Sequence, residues 1–267
     1  MPTMICYSLG RMKGSFVVTG TIINVITVLI GGTLGTFLGA ALPPRFQEIV
    51  MQALGLATLL IGMQMALKTG NPLFPLLGIL FGALIGELIG IENALNRLGD
   101  YFQRRFSSGG GTFSQGFVTA SLVFCVGPIT ILGSLQNGLN PNDIRLLSVK
   151  SVLDGFAAFG FAAAFGPGVL LAAVIVLVYQ GGLSLSAGLV KALIFSHLST
   201  AQFNAVIGEM TAVGGLMVLA VGLRLLKIAE LRVGNFLPAL ITAPAFALLA
   251  APLAALLRAV GHGLGVQ

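Results

Sequence analysis

Residues 16–44 read FVVTGTIINVITVLIGGTLGTFLGAALPP and contain no Asp, Glu, Lys or Arg, which are also absent from Val233 to Leu257. Each stretch exceeds the roughly 20 apolar residues with which an α-helix crosses the hydrocarbon core of a bilayer. The chain of 267 residues is 56% hydrophobic and only 8% charged, a composition at which a soluble enzyme would aggregate. Continuous apolar runs also exclude a membrane β-barrel, whose short strands alternate apolar and polar residues. The sequence therefore predicts an all-α fold, a polytopic transmembrane helix bundle.

The remaining apolar runs predict about eight membrane-spanning helices. At about 20 residues per crossing, their approximate bounds are 17–41, 48–67, 73–91, 116–136, 146–165, 168–190, 205–226 and 233–257. Clusters of Pro, Gly and Asn stand at four of the proposed boundaries and favour turns there. We predict that residues 1–15 form an N-terminal tail and that residues 16–267 form a single transmembrane domain. Arg11 and Lys13 precede a run that continues past signal-peptide length, so we expect the first helix to stay in the membrane.

The longest polar stretch, residues 92–115, separates the third and fourth predicted spans. Apolar residues recur around it at steps of three and four, namely Ile91, Leu95, Leu98, Phe102 and Phe106. This spacing predicts an interfacial amphipathic helix, followed by a flexible Gly/Ser linker at 107–111. The arginines of the helix favour the cytoplasmic side, which would put the N-terminus outside, whereas Arg11 and Lys13 favour the opposite orientation.

Two parts of the chain show a similar pattern. Residues 24–34 resemble residues 173–183, and in each stretch paired glycines end a hydrophobic run. If helices 1–3 repeat as helices 6–8, the offset is five spans, an odd number, and the copies cross in opposite directions. Many secondary transporters contain such an inverted repeat. Low-complexity apolar sequence also produces matches of this kind by chance.

Glycines recur every four residues in the first and third predicted helices. These stripes are Gly31, Gly35 and Gly39, and Gly78, Gly82, Gly86 and Gly90. They favour close packing between helices, and a glycine-lined passage for an ion is the alternative interpretation. Glu87 projects about 100° away from the second stripe, either as a carboxylate near the membrane interface or in a buried functional position.

The segment from Lys150 to Gly155 carries the sharpest local signal. Lys150 and Asp154 are four residues apart, so they share a helical face and can form an ion pair. If this helix begins near Leu146, Asp154 lies about 12 Å inside it. A charge in hydrocarbon costs roughly 2.5–3.5 kcal/mol, so it usually faces the protein interior or a watery path. The pair therefore either only holds the bundle together or gives Asp154 a role in binding substrate, a cation or a proton.

Gly127-Pro128 places a helix breaker in the middle of the fourth span. A proline there frees backbone carbonyls, and discontinuous helices of this kind form binding sites in transporters, although an ordinary kink is the alternative. Neutral polar side chains in or beside apolar runs are Asn24, Gln136, Asn137, Gln180 and Asn235. Glu209 opens the seventh span, where it either belongs to a site or interacts favourably with the helix dipole.

Several classes of function have no support in the sequence. The net charge is +6, but the basic residues stand singly between apolar runs, so we expect no nucleic-acid partner. Cys6 and Cys125 suggest neither a disulfide nor a metal site, and His197 and His262 lack metal-ligand spacing. The chain contains no HExxH, GxSxG or GxxxxGK[ST] motif. We therefore expect no enzyme activity, no cofactor, no metal site and no transport driven by ATP.

An ordered set of motifs resembles the bacterial membrane protein family called domain of unknown function 554, the YqgA/YdfK-like proteins. The motifs lie at Gly20–Asn24, Gly82–Glu87, Phe124–Pro128, Leu132–Gly138, Lys150–Gly155 and Arg232–Pro238, and the resemblance extends from about Thr19 to Leu257. It implies a protein of the inner membrane, and some members carry the description of a sodium channel or pump. It implies no catalytic residue.

These observations predict an ion-coupled (Na⁺ or H⁺) secondary transporter or a cation channel of the bacterial inner membrane. Asp154 and Glu87 would bind the ion or carry protons, and Lys150 would balance their charge. Neutral ligands would come from Asn24, Gln136, Gln180 and Asn235. The alternatives are a membrane scaffold or accessory protein with structural buried charges, and an intramembrane enzyme acting on lipid. The expected partners are the lipid bilayer and a small cation or small polar solute, and the glycine stripes are compatible with a homodimer.

Overall fold

The fold of the described residues is entirely helical. The computed structural model describes residues 17–106, 112–126, 128–193 and 195–250, and within them it contains helices and no strands. This confirms the predicted all-α class. The predicted N-terminal tail (1–15), the predicted Gly/Ser linker (107–111) and the last part of the predicted eighth span lie outside the described residues.

The described residues form nine α-helices up to residue 225, and a tenth follows them. They are α1 (Thr19–Ala41), α2 (Pro44–Ala66), α3 (Leu73–Ile89), α4 (Ile91–Phe106), α5 (Thr112–Cys125), α6 (Pro128–Leu139), α7 (Arg145–Phe165), α8 (Gly168–Leu193) and α9 (Thr200–Leu225). Short 3-10 turns occupy Phe195–His197 and Val233–Phe236. The tenth helix, α10, is described over residues 239–250.

By length and composition, the described residues contain six to eight candidate membrane spans. Six helical segments are long and apolar enough to cross alone: α1, the Arg45–Ala66 part of α2, α7, α8, α9 and Val233–Ala250. Two bent pairs raise the number to eight if each pair forms one span. The bend between α3 and α4 is 52°, and that between α5 and α6 is 61°. The predicted breaker at Gly127-Pro128 therefore corresponds to an interruption of the fourth span. The inverted repeat is not confirmed by the structure.

Helix α4 lies where the amphipathic segment is predicted. Its buried side includes Gly99, which packs against Ser114 and Phe117 of α5. Its other side exposes Tyr101 and the arginines at 97, 104 and 105. Helix α4 therefore packs on the bundle through Leu95 and Gly99, while its basic residues are exposed.

Both glycine stripes are packing surfaces. In α1, Gly31 meets the backbone of Gly155, and Gly35 meets that of Phe159, so closely that a Cβ atom would clash. The α3 stripe contacts α10 and the turn before it in the same way, with Gly78 on Ala243, Gly82 on Ala239 and Gly86 on Asn235. Absent side chains let helix backbones approach closely in a membrane. Because α7 and α10 of the same chain cover these stripes, the stripes give no support to the predicted homodimer.

Successive spans cross the bundle in opposite directions and give it two distinct ends. The N-terminal end carries the start of α1 and the loops around residues 67–72, 140–144 and 194–199, and the α4 end carries α4 and the loops around 42–43, 166–167 and 226–238. The α4 end holds Arg45, Arg97, Arg104, Arg105, Arg224, Lys227 and Arg232, whereas the described residues near the N-terminal end include Lys68, Arg145 and Lys191. The basic side chains of the described residues are therefore concentrated at the α4 end, a pattern that the positive-inside rule associates with cytoplasmic loops.

Candidate functional site

A buried ion pair on α7 forms the centre of the candidate site. Nζ of Lys150 donates a hydrogen bond of 2.5 Å to Oδ2 of Asp154, and the two side chains are only 8% and 9% exposed. Asp154 lies nine residues after Arg145, where α7 begins, which is about 14 Å along the axis at roughly 1.5 Å per residue. The predicted pairing of these two residues on one helical face is confirmed.

Two neutral amides from other helices join this pair. Asn24 of α1 donates through Nδ2 to Oδ2 of Asp154 at 2.9 Å and to Oε1 of Gln180 at 3.0 Å. Both amide side chains are fully buried. Asp154 therefore receives a charged and a neutral donor on the same oxygen atom, and neither of these two donors bonds to Oδ1.

The interrupted span passes beside this cluster. Cys125, the last residue of α5, is buried, and Gly133 of α6 packs against Leu146 and Leu147 of α7. Thr130, in the first turn of α6, donates its hydroxyl across the interruption to the carbonyl oxygen of Phe124. A helix that breaks beside a buried charge places backbone dipoles near that charge, an arrangement that transporters use to bind ions.

The two amide residues of α6, Gln136 and Asn137, lie in different environments. Asn137 is fully buried and accepts a hydrogen bond from the backbone N–H of Gly20 at 3.1 Å. It also donates to the carbonyl oxygen of Pro141 at 3.2 Å. Gln136 is exposed. Asn137 therefore links the start of α1 to the loop after α6, and Gln136 lies outside the cluster around Asp154.

A second polar cluster forms at the α4 end, and it contains two of the predicted site residues. Glu87 accepts hydrogen bonds from Arg232 and from Nδ2 of Asn235, each of 2.6 Å. The Glu87 side chain is 54% exposed, so this ion pair contributes little to stability. Glu87 and Asn235 thus belong to a cluster separate from that of Asp154.

Glu92 is the buried member of this second cluster. It accepts hydrogen bonds from Arg224 at 3.0 Å and from the backbone N–H of Gly234 at 2.7 Å. Its own N–H donates to Oδ1 of Asn235 at 2.8 Å. The cluster therefore ties the start of α4 and the end of α9 to the turn before α10, and it borders a polar cavity of about 710 Å³ that Glu230 also lines.

Glu209 stands apart from both clusters. Thr69 donates its hydroxyl to both carboxylate oxygens at 2.9 and 2.8 Å, and the N–H of Gly70 donates at 3.2 Å. The predicted position at a helix start is wrong, because α9 begins at Thr200. The helix dipole acts within the first turn of a helix, and Glu209 lies beyond that turn. Glu209 instead binds the loop between α2 and α3.

Known proteins with similar sequences are uncharacterised. A family model described as "Protein of unknown function (DUF554)" matches residues 19–248. The chain belongs to the DUF554 family. It is 35% identical over 231 residues to the "Uncharacterized protein YqgA" of Escherichia coli (strain K12), which covers 85% of this chain and 94% of the relative. It is 29% identical over 229 residues to the "Uncharacterized membrane protein YdfK" of Bacillus subtilis (strain 168), covering 84% and 93% respectively. No solved structure matches.

The DUF554 chain thus forms a multi-pass helical membrane protein with a buried charged cluster. Within the described residues, no group of three or more His, Cys, Asp or Glu side chains could hold a metal ion. Sequence reasoning missed Glu92, whose partners lie more than 130 positions away. It also missed Thr21, which precedes Asn24 by three residues, and Ser184, which follows Gln180 by four. Helical spacing on these two faces would have found them.

Glu92→Gln is expected to lower the free energy of unfolding of this DUF554 protein by about 1.5 kcal/mol, the contribution of a hydrogen bond to a charged group. The amide keeps the size of the side chain but leaves the Arg224 guanidinium without its counter-ion. Thermal unfolding in detergent measures the effect. Glu230→Gln is the matched control, because Glu230 is an exposed glutamate beside the same cavity. Equal stability of the two variants would contradict a structural role for Glu92.

Proposed function

We propose that this protein is a cation transporter of the bacterial cytoplasmic membrane in which Asp154 binds the transported or coupling ion, Na⁺ or H⁺. The observation that carries the proposal is the Lys150–Asp154 pair, which lies buried beside an interrupted helix and between the amides of two further helices. Ionisable groups inside membrane helices mark ion pathways and proton relays.

Lys150 determines how an ion can reach Asp154. The ammonium group already neutralises the carboxylate, and at roughly 3 Å an added cation would be repelled by it strongly in a medium of low dielectric constant. A cation can therefore bind only when Lys150 loses its proton or moves away. This requirement favours exchange of a cation for a proton over simple conduction. In the absence of the cation, Lys150 serves as its substitute and keeps the empty site electrically neutral.

The three candidate acids are far from forming a catalytic pair. Asp154, Glu87 and Glu209 belong to three separate clusters with different partners. General acid–base chemistry needs two groups within reach of one substrate. This separation supports a transporter over an intramembrane enzyme. A scaffold is the second candidate, and it is favoured by the fact that Lys150 and Asp154 satisfy each other's charge.

Cation-driven proton movement in proteoliposomes tests the proposal. Vesicles with purified protein and an internal pH indicator receive an external pulse of Na⁺, K⁺ or choline, and protein-free vesicles give the background. We expect Na⁺ or K⁺ to raise the internal pH by driving proton exit, and choline to have no effect. If no inorganic cation moves protons or is itself taken up, the transport proposal fails and the scaffold becomes the better interpretation.

A further inference from the structure

Polar side chains continue from Asp154 toward the N-terminal end of the bundle. One helical turn from Asn24 in that direction lies Thr21, and one turn from Gln180 lies Ser184. Thr21 sits beside Gly181 of α8. Ser184 packs with its carbonyl against Gly138, the neighbour of Asn137. Asn137 in turn donates a hydrogen bond to Pro141 in the loop after α6. These residues form a row of polar groups between the buried carboxylate and the surface loop.

Several atoms in this row lack a hydrogen-bond partner. Among the described residues, the unpartnered buried atoms include Oγ1 of Thr21, Oδ1 of Asn24, Nε2 of Gln180 and Oγ of Ser184. All four side chains are at most 1% exposed. A fifth such atom, Oγ of Ser121, lies one turn before the interruption in α5. Leaving a buried donor or acceptor unmatched is energetically unfavourable, and buried water satisfies such groups when two to four of them converge.

The opposite direction from Asp154 is apolar. Toward the α4 end, the neighbouring helix faces present Val28 of α1, Phe161 and Phe165 of α7, and Val169 and Val176 of α8, all at most 2% exposed. These residues belong to one continuous apolar cluster together with Phe117 and Phe124 of α5. The charged pair therefore lies at the boundary between a polar half and an apolar half of the bundle.

We propose that Thr21, Asn24, Gln180 and Ser184 line a hydrated access path that leads from the N-terminal end to Asp154, and that the apolar cluster closes the α4 end. The hydroxyls can both donate and accept, so they match water and either hydronium or a small hydrated cation. With the α4 end in the cytoplasm, this path opens to the outside. Its use by a transported ion rests on the proposed function, but its hydration does not.

Cysteine accessibility on α8 tests the path with two matched positions. Ser184 and Val176 are both 1% exposed, and each lies four residues from Gln180, on opposite sides of it. Ser184→Cys and Val176→Cys are made in a background in which Cys6 and Cys125 are replaced by Ala. A membrane-impermeant cationic methanethiosulfonate is added to intact cells and to inverted vesicles, and mass spectrometry measures its attachment. Asn140→Cys, in an exposed loop, identifies the N-terminal end.

We expect Ser184→Cys to react from the same side as Asn140→Cys, and Val176→Cys to react from neither side. Absence of reaction at Ser184→Cys, or reaction only from the opposite side, overturns the path. Equal reaction at both positions overturns the apolar closure. Reaction of every thiol after unfolding in detergent confirms that each was intact, and gel filtration confirms that each variant is folded.

The labelling result and the transport result are independent. Expected labelling without cation-driven proton movement would retain the hydrated path and reject the proposed transport. Proton movement without labelling of Ser184→Cys would retain transport and require an access route elsewhere in the bundle.

Discussion

Lys150→Met is expected to lower the free energy of unfolding by about 3–5 kcal/mol, the cost of leaving one partner of a buried ion pair uncompensated. Of the two donors to Oδ2 of Asp154, only the amide of Asn24 would remain. Methionine retains the length of the lysine side chain, so lost packing contributes little. Thermal or denaturant unfolding in detergent measures the change.

The double variant Lys150→Met/Asp154→Leu separates charge from packing. The double variant lacks the buried carboxylate that Lys150→Met leaves without a counter-ion, so we expect much of the lost stability to return. Arg145→Met is the control on the same helix, because its pair with Asp143 leaves the arginine side chain 88% exposed, and the loss of such an exposed pair should change stability little. A single variant as stable as this control would show that Asp154 does not need Lys150.

Gly31→Ala is expected to destabilise the bundle by roughly 3 kcal/mol, at the upper end of the cost of overpacking. The added methyl group would meet the carbonyl group of Gly155, which belongs to the backbone of α7 and cannot rotate away. The two helices must separate or shift, and both carry residues of the Asp154 cluster. Thermal unfolding measures the loss, and cation-driven proton movement should fall with it.

Gly182→Ala gives the matched control for Gly31→Ala. A Cβ atom at position 182 meets no described atom within 4 Å. This glycine lies inside α8, where replacing Gly by Ala favours the helix by about 0.5–1 kcal/mol. We therefore expect opposite signs for the two substitutions. A loss of stability at both positions would mean that glycine flexibility, and not close packing, explains the effect at Gly31.

The class of fold could be predicted because a membrane helix is a local property of the sequence. Runs of about 20 apolar residues are sufficient to define it, and Gly127-Pro128 was sufficient to predict the interruption of the fourth span. The exact number of crossings could not be predicted, since α3 and α4 are separated by a 52° bend at Gly90. Composition alone does not determine whether such a pair counts as one span.

The central ion pair could also be predicted, because its two members are one helical turn apart. Which carboxylates lie in the same cluster could not be predicted. Glu87 and Asp154 both stand in or near apolar runs, yet Glu87 pairs with Arg232 and Asp154 with Lys150. Partners separated by 130 or more positions, such as Asn24 and Asp154, depend on which helices pack together. A single sequence carries no direct signal for that.

Asp154→Asn and Asp143→Asn in the proteoliposome assay test the central claim most directly. Both substitutions replace an aspartate that is paired with a basic residue of α7, but only Asp154 is buried. The hydrogen bond from Arg145 keeps the pKa of Asp143 below its usual value, so this surface residue is charged in the wild-type control. We predict that Asp154→Asn, shown to be folded by gel filtration, reduces cation-driven proton movement to that of protein-free vesicles, while Asp143→Asn retains the wild-type rate. Wild-type movement in folded Asp154→Asn would contradict an ion-binding role for this carboxylate.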